Sequence, residues 1–487
     1  MESIPAYVLP VLYGGLGNLA AYLAAHVLLC LLPAFFIAGG MAALIPKETI
    51  TRFLGRNTRK TISYPAAAGA ASLLAVCSCT IVPLFAGIYK KGAGLGPAIT
   101  CLFFAPAANV LALVYTGGII GPDLAFARLF LSLVFGIGIG LIMALIFRSD
   151  DAAHDQATDS AFAVQGPAMH RAALVFLFAW VVLLLMGTLK LDVLTGTHIQ
   201  FELPIAGAQG WQAWLDALVP YDAAKGEEGV SVQGVLLIGL LGAIGLTAWR
   251  GLETIHDGFT AWTFASLALI ALTLLFAALA IQATPAGLSF GFTGKFFGVS
   301  LALLAIYFLA RYRIDADSLR EWLWESWRFV KQIFPLLVGG VFVVGMIRVL
   351  IRPEWIETLA GTNSARGTLA GVAFGLFMSL PTLVEVPIAK MFLDLGMHRG
   401  PLLAYLMADP ELSLQSILII TAIIGRTKTW TYVGLVALFS AMAGYTYGAW
   451  VDGMPLYWLA LWIAAFIAAL SVLLSVASRR YPTPTGV

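Results

Sequence analysis

The chain has 487 residues, of which 60% are hydrophobic and only 11% are charged. In soluble domains about a quarter of all residues are charged, so this composition excludes a soluble enzyme. The formal net charge of +2 shows no basic bias toward nucleic acid, and four cysteines are too few for a disulfide framework in a chain of this length. We therefore expect an integral membrane protein that contacts lipid and has no nucleic-acid partner.

Long apolar segments follow one another along most of the chain. A helix needs about 20 apolar residues to cross a bilayer core of about 30 Å, and lipid offers the backbone no hydrogen-bond partners. The segments therefore predict an all-α, polytopic fold with about 12–13 transmembrane segments. The candidates are residues 19–46, 65–89, 95–120, 123–147, 172–189, 232–249, 262–282, 296–310, 333–351, 368–393, 401–424, 429–449 and 456–477.

Two basic segments bear on the orientation in the membrane. Residues 47–60 and 311–332 each carry five Lys or Arg residues, which favours the cytoplasmic side for both. An even number of crossings must then separate them, whereas seven candidates lie between, so we expect one of these to be re-entrant or miscounted. Residues 311–332 also contain three tryptophans, a pattern typical of a helix that lies in the membrane interface.

An internal repeat relates residues 82–121 to residues 386–425 without a gap, at an offset of 304 residues. Of the ten identical positions, six are Pro or Gly: Pro83/Pro387, Gly92/Gly396, Gly96/Gly400, Pro97/Pro401, Pro106/Pro410 and Gly121/Gly425. Proline removes a backbone hydrogen bond and fixes φ. Matched interruptions in two apolar segments are typical of transporters, in which broken helices line a substrate cavity.

The repeat predicts two homologous halves that contain broken helices. The helix-break positions are Pro83, Pro106, Pro387 and Pro410. The expected organisation is a first half at 1–147, a central insert at 148–332 with about four extra transmembrane helices and an amphipathic segment, a second half at 333–455, and a C-terminal helix and tail at 456–487. The basic segments favour an inverted arrangement of the two halves.

The first half carries thiols next to its breaks. Cys77 and Cys79 flank Ser78 and lie just before Pro83. In an extended chain, residues i and i+2 point the same way, and two such thiols can chelate a soft, thiophilic ion. Cys101 is a candidate third thiol, and the alternative for each cysteine is a small hydrophobe in apolar surroundings.

The second half carries carboxylates instead. Glu385, Asp409 and Glu411 all fall inside apolar segments, where burying a charge costs several kcal/mol. We predict that these three residues couple transport to protons. The alternative is a structural ion pair or hydrogen bond, with Lys390 or Arg399 as the partner.

Two further polar residues fall next to the predicted breaks. Asn109 follows the first-half break, and Gln415 follows the second. Together with Cys77, Cys79 and Cys101, they are the candidate substrate-binding residues.

Residues 77–113, CSCTIVPLFAGIYKKGAGLGPAITCLFFAPAANVLAL, resemble the ArsP-type permease family of bacterial inner-membrane permeases. The resemblance implies a multi-pass protein of the bacterial inner membrane that exports trivalent organoarsenicals, with Cys77 and Cys79 as the metalloid ligands. The chain departs from the family pattern in its long central insert and in the Asp-Pro-Glu at residues 409–411.

The sequence thus predicts a secondary transporter that moves a small molecule and is not an enzyme. No phosphate-binding motif of the GxxxxGK[ST] kind is present, so the energy source is expected to be a proton gradient or a partner protein, and no cofactor is expected. One alternative is transport of another solute, such as a sulfur species, a soft metal or an organic anion. Another is a membrane thiol-disulfide redox protein that uses the Cys-Ser-Cys pair. A homodimer is left open.

Overall fold

The structure is a computed structural model. It describes residues 4–25, 27–45, 47–56, 58–73, 78–153, 171–188, 192–205, 207–219, 229–285, 287–350, 354–378 and 382–480.

Helices make up most of the described chain. In chain order they are α1 (Ile4–Ala25), α2 (Val27–Leu44), α3 (Lys47–Leu54), α4 (Lys60–Leu73), α5 (Ser78–Lys90), α6 (Leu95–Ala107), α7 (Val110–Ile119), α8 (Pro122–Ile146), α9 (Arg171–Thr188), α10 (Asp192–Thr195), α11 (Ala208–Leu218), α12 (Val232–Gly251), α13 (Ala261–Ala278), α14 (Gly294–Tyr312), α15 (Ala316–Arg348), α16 (Glu354–Ala360), α17 (Ala365–Met378), α18 (Thr382–Asp394), α19 (Arg399–Ala408), α20 (Leu414–Ile424), α21 (Arg426–Val451) and α22 (Leu456–Arg480).

Several of these helices have the length and hydropathy of membrane spans. Within the described residues, seven stretches qualify: Leu95–Ile119, Pro122–Ile146, Val232–Gly251, Ala261–Ala278, Gly294–Tyr312, Ala316–Ile347 and Arg426–Val451. Shorter apolar helices accompany them, for example Leu31–Leu44 and Leu414–Ile424. The prediction of a mostly helical, multi-pass membrane protein is confirmed in this general form.

A small antiparallel sheet is a departure from the predicted all-α fold. β1 (Thr197–Leu203) pairs with β3 (Gly287–Thr293), which pairs with β2 (Leu279–Thr284). The segment 262–282 was predicted to be one span, but α13 ends at Ala278. The strands beyond it contain Ile, Thr and Phe, β-branched and aromatic residues that suit a strand, and Gly287 adopts a φ of 140° at the hairpin turn.

One compact unit comprises Met1–Pro46, Cys79–Ile88 and Gly166–Ile351. In its core the indole N–H of Trp322 on α15 donates to the carbonyl oxygen of Phe36 on α2, at 2.9 Å. α15 runs without interruption through the boundary predicted between 332 and 333.

Two of the three tryptophans of α15 pack inside this unit, and the interfacial position of the segment stays a prediction. Trp322 and Trp327 are 4% and 7% exposed, because they pack within this unit. Trp327 and Lys331 also donate to the carboxylate of Glu253, which lies outside the membrane-span candidates. These hydrogen bonds, that of Lys331 first, hold the pKa of Glu253 below its usual value.

A second compact unit comprises Lys47–Ser78, Tyr89–Gln165 and Arg352–Val487. Helices of this unit, together with α5, recur at the offset found in the sequence. Four pairs of helices begin 304 residues apart: α5 and α18, α6 and α19, α7 and α20, and α8 and α21. The helix boundaries thus follow the matched Pro and Gly positions.

Glycines at matched positions allow two helix pairs to approach closely. A Cβ atom on Gly96 of α6 would lie 2.9 Å from the carbonyl oxygen of Gly140 on α8. A Cβ atom on Gly400 of α19 would likewise lie 2.9 Å from the carbonyl oxygen of Gly444 on α21. Gly140 and Gly444 are themselves 304 residues apart, so the same packing occurs twice in this unit.

This close approach makes Gly444 intolerant of a side chain. A methyl group at Gly444 would lie 2.5 Å from the carbonyl oxygen of Gly400, so we expect Gly444→Ala to destabilise the protein by about 1–3 kcal/mol. On the same helix, Gly434 has no described atom within 4 Å of its Cβ position, and Gly434→Ala should stabilise by about 0.5–1 kcal/mol. Thermal unfolding of both variants in detergent checks the contrast; equal effects would contradict it.

α8 and α21 pack against each other with opposite chain directions. Tyr447, near the end of α21, donates to Asp123 at the start of α8, at 2.8 Å. Lys428, near the start of α21, pairs with Asp150 just beyond the end of α8, at 3.3 Å. The two long helices are therefore antiparallel.

Candidate functional site

The chain leaves helical geometry between α6 and α7. Asn109 caps α7, because its side-chain oxygen accepts the N–H of Ala112 at 2.8 Å. Its amide nitrogen donates to the carbonyl oxygen of Ala105 on α6 at 3.0 Å. Asn109 was predicted to line a substrate cavity; the structure gives its side chain the local task of satisfying backbone groups at two helix ends.

A similar interruption lies between α19 and α20. α19 ends at Ala408, and Ser413 caps α20 by accepting the N–H of Ser416. Ser413 lies 304 residues after Asn109. Between the two helices, Asp409 and Glu411 are 0% and 2% exposed. Two acidic side chains are therefore buried where the helix is interrupted.

Arg128 of α8 connects the first interruption to the second half of the chain. Its side chain is fully buried. Its Nε donates to the carbonyl oxygen of Ala107, the last residue of α6, at 2.7 Å. Its Nη1 donates to Thr116 Oγ1 on α7 at 3.2 Å, and its Nη2 donates to Glu385 Oε1 on α18 at 2.9 Å. One guanidinium group thus bonds to three helices.

Glu385 therefore has a partner that was not predicted. The candidates were Lys390 and Arg399, but Lys390 pairs with Asp394, and Arg399 pairs with Asp123 at 2.9 Å. Glu385 and Arg128 are both 0% exposed and form a buried ion pair. An arginine suits the role of a buried counter-ion, because its guanidinium group keeps its charge when it is removed from water.

At the second interruption, a tyrosine takes the place of the arginine. Tyr432 on α21 lies 304 residues after Arg128, and its hydroxyl donates to Glu411 Oε2 at 2.6 Å. Glu411 in turn lies 304 residues after Ala107, the residue whose carbonyl oxygen accepts from Arg128. Equivalent residues of the two long helices therefore donate hydrogen bonds to equivalent residues at the interruptions: Arg128 of α8 to Ala107, and Tyr432 of α21 to Glu411.

Two carboxylate oxygens of this cluster remain available. Among the described residues, neither Glu385 Oε2 nor Glu411 Oε1 has a hydrogen-bond partner. An unpaired buried oxygen is costly, so both atoms mark places where a proton, water or ligand can be accommodated.

The structure describes some of the predicted substrate-binding residues fully and others only in part or not at all. Cys77 lies outside the described residues, and for Cys79 only the helical backbone at the start of α5 is described. Cys101 on α6 has a free thiol and is 7% exposed. Gln415 is buried on the first turn of α20.

The predicted break residues fall in two groups. Pro106 and Pro410 adjoin the interruptions between α6 and α7 and between α19 and α20. Pro83 and Pro387, by contrast, lie inside α5 and α18 rather than at their ends.

Arg128, Thr116 and Tyr432 were missed as site residues. Arg128 lies inside the predicted span 123–147, and a charge within a span is itself a signal for a functional or paired residue. Tyr432 could then have been found as the residue that lies 304 positions after Arg128, the offset of the repeat. Thr116 carries no comparable signal in the sequence.

Comparison with known proteins decides the family. The model of the ArsP_1 family of predicted permeases matches residues 13–449. The chain belongs to this family. It is 32% identical to the UPF0718 protein MJ0584 of Methanocaldococcus jannaschii over 450 residues, which cover 92% of this chain and 98% of the relative. The resemblance seen in residues 77–113 is thereby confirmed for most of the chain.

A second relative matches over a shorter stretch. The UPF0718 protein YraQ of Escherichia coli K12 is 28% identical over 124 residues, which cover 26% of this chain and 35% of YraQ. No solved structure matches the chain.

Proposed function

We propose that this permease is a proton-coupled secondary transporter built from two inverted repeats, and that it exports a thiophilic solute such as a trivalent organoarsenical across the cytoplasmic membrane. The observation that carries the proposal is the buried cluster of Arg128, Glu385, Glu411 and Tyr432 at the two helix interruptions. In transporters, such interruptions and intramembrane charges mark the ion and substrate pathway.

The helix arrangement supports the inverted repeat. α8 and α21 are equivalent by the offset and run antiparallel. Phe135 on α8 and Phe439 on α21 are equivalent residues, and their rings contact each other with centroids 5.1 Å apart. Equivalent residues meet in this way when a local two-fold axis passes between antiparallel helices.

The acidic residues support proton coupling. Glu385 and Glu411 are both buried and lie within electrostatic range of each other, and Arg128 is bonded to Glu385. Two ionised carboxylates beside a single guanidinium would leave one buried negative charge uncompensated, which is expensive in a low-dielectric interior. Binding a proton removes that cost, so the cluster can exchange protons as its access to water changes.

The thiols support a thiophilic substrate. Cys77 and Cys79 occur in the motif shared with the organoarsenical-efflux type of this family, and soft thiolate ligands suit trivalent arsenic. Two thiolates match the two sulfur-binding positions of a monomethylated trivalent arsenical.

Serine substitution of the cysteines tests the substrate. We expect Cys77→Ser or Cys79→Ser to abolish the resistance to trivalent methylarsenical that the permease gives to a sensitive host, because oxygen is a poor ligand for arsenic. The matched control is Cys30→Ser, which changes the cysteine that lies outside the motif at residues 77–113 and should keep resistance. Growth curves and membrane expression are measured together, and full resistance in both test variants would remove the thiol-ligand role.

A further inference from the structure

The cluster contains two glutamates in different surroundings, and we infer that they have different tasks. Glu411 carries the exchangeable proton, whereas Glu385 stays ionised as the fixed partner of Arg128. The transport meaning of this assignment rests on the proposed function, but the protonation state of each residue does not.

Glu385 has a strong reason to keep its charge. Its Oε1 accepts a hydrogen bond of 2.9 Å from Arg128, and both side chains are fully buried. Arg128 cannot release its own proton, so protonation of Glu385 would leave a buried guanidinium without a counter-ion. That loss is costly. The stable arrangement is therefore the ion pair, in which both side chains are charged and their charges cancel.

Glu411 lacks such a counter-ion. Tyr432 on α21 is its hydrogen-bond partner, and this hydroxyl is neutral. Glu385 on α18 is within electrostatic range of Glu411 and is itself bonded to Arg128 on α8. Asp409, two residues earlier in the chain, is a second acidic group. An ionised Glu411 would therefore be a buried charge whose hydrogen-bond partner is a neutral hydroxyl and which has no ion-pair partner of its own among the described residues.

The hydrogen bonds also define where the proton lies. Tyr432 donates to Glu411 Oε2, so this oxygen acts as the acceptor. Glu411 Oε1 has no hydrogen-bond partner among the described residues, and a carboxylic acid places its proton on the oxygen that is not accepting. The geometry thus assigns the proton to Oε1 and the carbonyl character to Oε2.

A bound metal ion is a weaker explanation for the same charge. Within the described residues, no three His, Cys, Asp or Glu side chains come close enough to hold a metal ion. A proton needs one carboxylate with a hydrogen-bonding neighbour, and Glu411 with Tyr432 provides this.

Infrared spectroscopy of the full-length protein in lipid vesicles tests the assignment without a substrate. A protonated carboxyl group gives a C=O band that an ionised one lacks. We expect Glu411→Gln to remove one such band. The double variant Arg128→Met with Glu385→Gln should keep it, because that variant removes an ion pair without leaving an unpaired charge. Tyr432→Phe should move the band to higher frequency, because the carbonyl oxygen loses its hydrogen bond.

Each alternative result would overturn the assignment. A band that persists in Glu411→Gln, or that disappears in the double variant, places the proton elsewhere. A band unchanged in Tyr432→Phe contradicts the proposed hydrogen bond. Asp409→Asn is the matched control, since it changes the neighbouring acid and should leave the Glu411 band in place.

A transport measurement adds the functional consequence. In vesicles with trivalent methylarsenical as the probe, Glu411→Gln should lose accumulation driven by a pH gradient but retain exchange of labelled for unlabelled probe. Retained dependence on the gradient would overturn the role of Glu411. If the wild-type protein moves no probe, the proposed substrate fails, while the infrared result still decides the protonation state.

Discussion

Replacing Arg128 with methionine is expected to destabilise the permease by about 3–5 kcal/mol, because the substitution leaves a carboxylate buried without its counter-ion. Arg128 and Glu385 are both 0% exposed and lie 2.9 Å apart. The substitution also removes the donors to Ala107 and Thr116. Unfolding in mixed micelles with increasing denaturing detergent measures the change in free energy.

Two controls separate charge burial from loss of a side chain. Adding Glu385→Gln to Arg128→Met should restore much of the lost stability, because the buried charge then disappears together with its partner. Arg320→Met removes a partly exposed pair with Asp317, and exposed pairs contribute about 0–1 kcal/mol. Two results would contradict the counter-ion role. The first is that Arg128→Met is as stable as Arg320→Met. The second is that the double variant, Arg128→Met with Glu385→Gln, is no more stable than Arg128→Met alone.

Some helix ends could be read from the sequence, although Pro83 and Pro387 lie inside α5 and α18. Matched Pro and Gly residues predicted interruptions, and the helices before and after them begin at equivalent residues such as Leu95 and Arg399. This works because Pro and Gly act on the backbone locally. Gly92 and Gly396 illustrate it: both adopt a positive φ, of 88° and 91°, where a side chain would be strained.

The partners of the buried charges could not be read in the same way. Arg128 and Glu385 are 257 residues apart in the chain, and no local rule connects them. Lys390 and Arg399 were nearer in sequence, but helical spacing places Asp394 one turn after Lys390. A tertiary contact of this kind depends on which helices pack together, which a single sequence does not specify.

The departures within α15 and the sheet have a common cause. Hydropathy measures how apolar a segment is and does not tell whether lipid or protein covers it. Trp322, in the segment predicted to lie in the interface, packs on Phe36, and residues 279–282, predicted as the end of a span, belong to β2. In both cases neighbouring parts of the same unit supply the apolar contact.

The proposed inverted repeat makes a prediction about membrane sides that is close to all-or-none. Pro122 and Arg426 are exposed, equivalent first residues of α8 and α21. If each helix crosses the membrane once, their antiparallel packing places these two residues on opposite sides. Cysteines introduced at Pro122 and Arg426, in a chain whose native cysteines are replaced by serine, should therefore react with a membrane-impermeant maleimide from opposite sides of the membrane.

Two further positions at the other helix ends complete the pattern. Ser149, beyond the end of α8, should share a side with Arg426, because Asp150 next to it pairs with Lys428. Pro455, beyond the end of α21, should share a side with Pro122, because Tyr447 in the last turns of α21 reaches Asp123. Labelling in intact cells is compared with labelling after permeabilisation, with a denatured sample as the control for total cysteine.

Labelling of Pro122→Cys and Arg426→Cys from the same side would rule out the inverted arrangement. The two halves could then not exchange roles between the membrane faces, which is the physical basis of alternating access in a repeat of this kind.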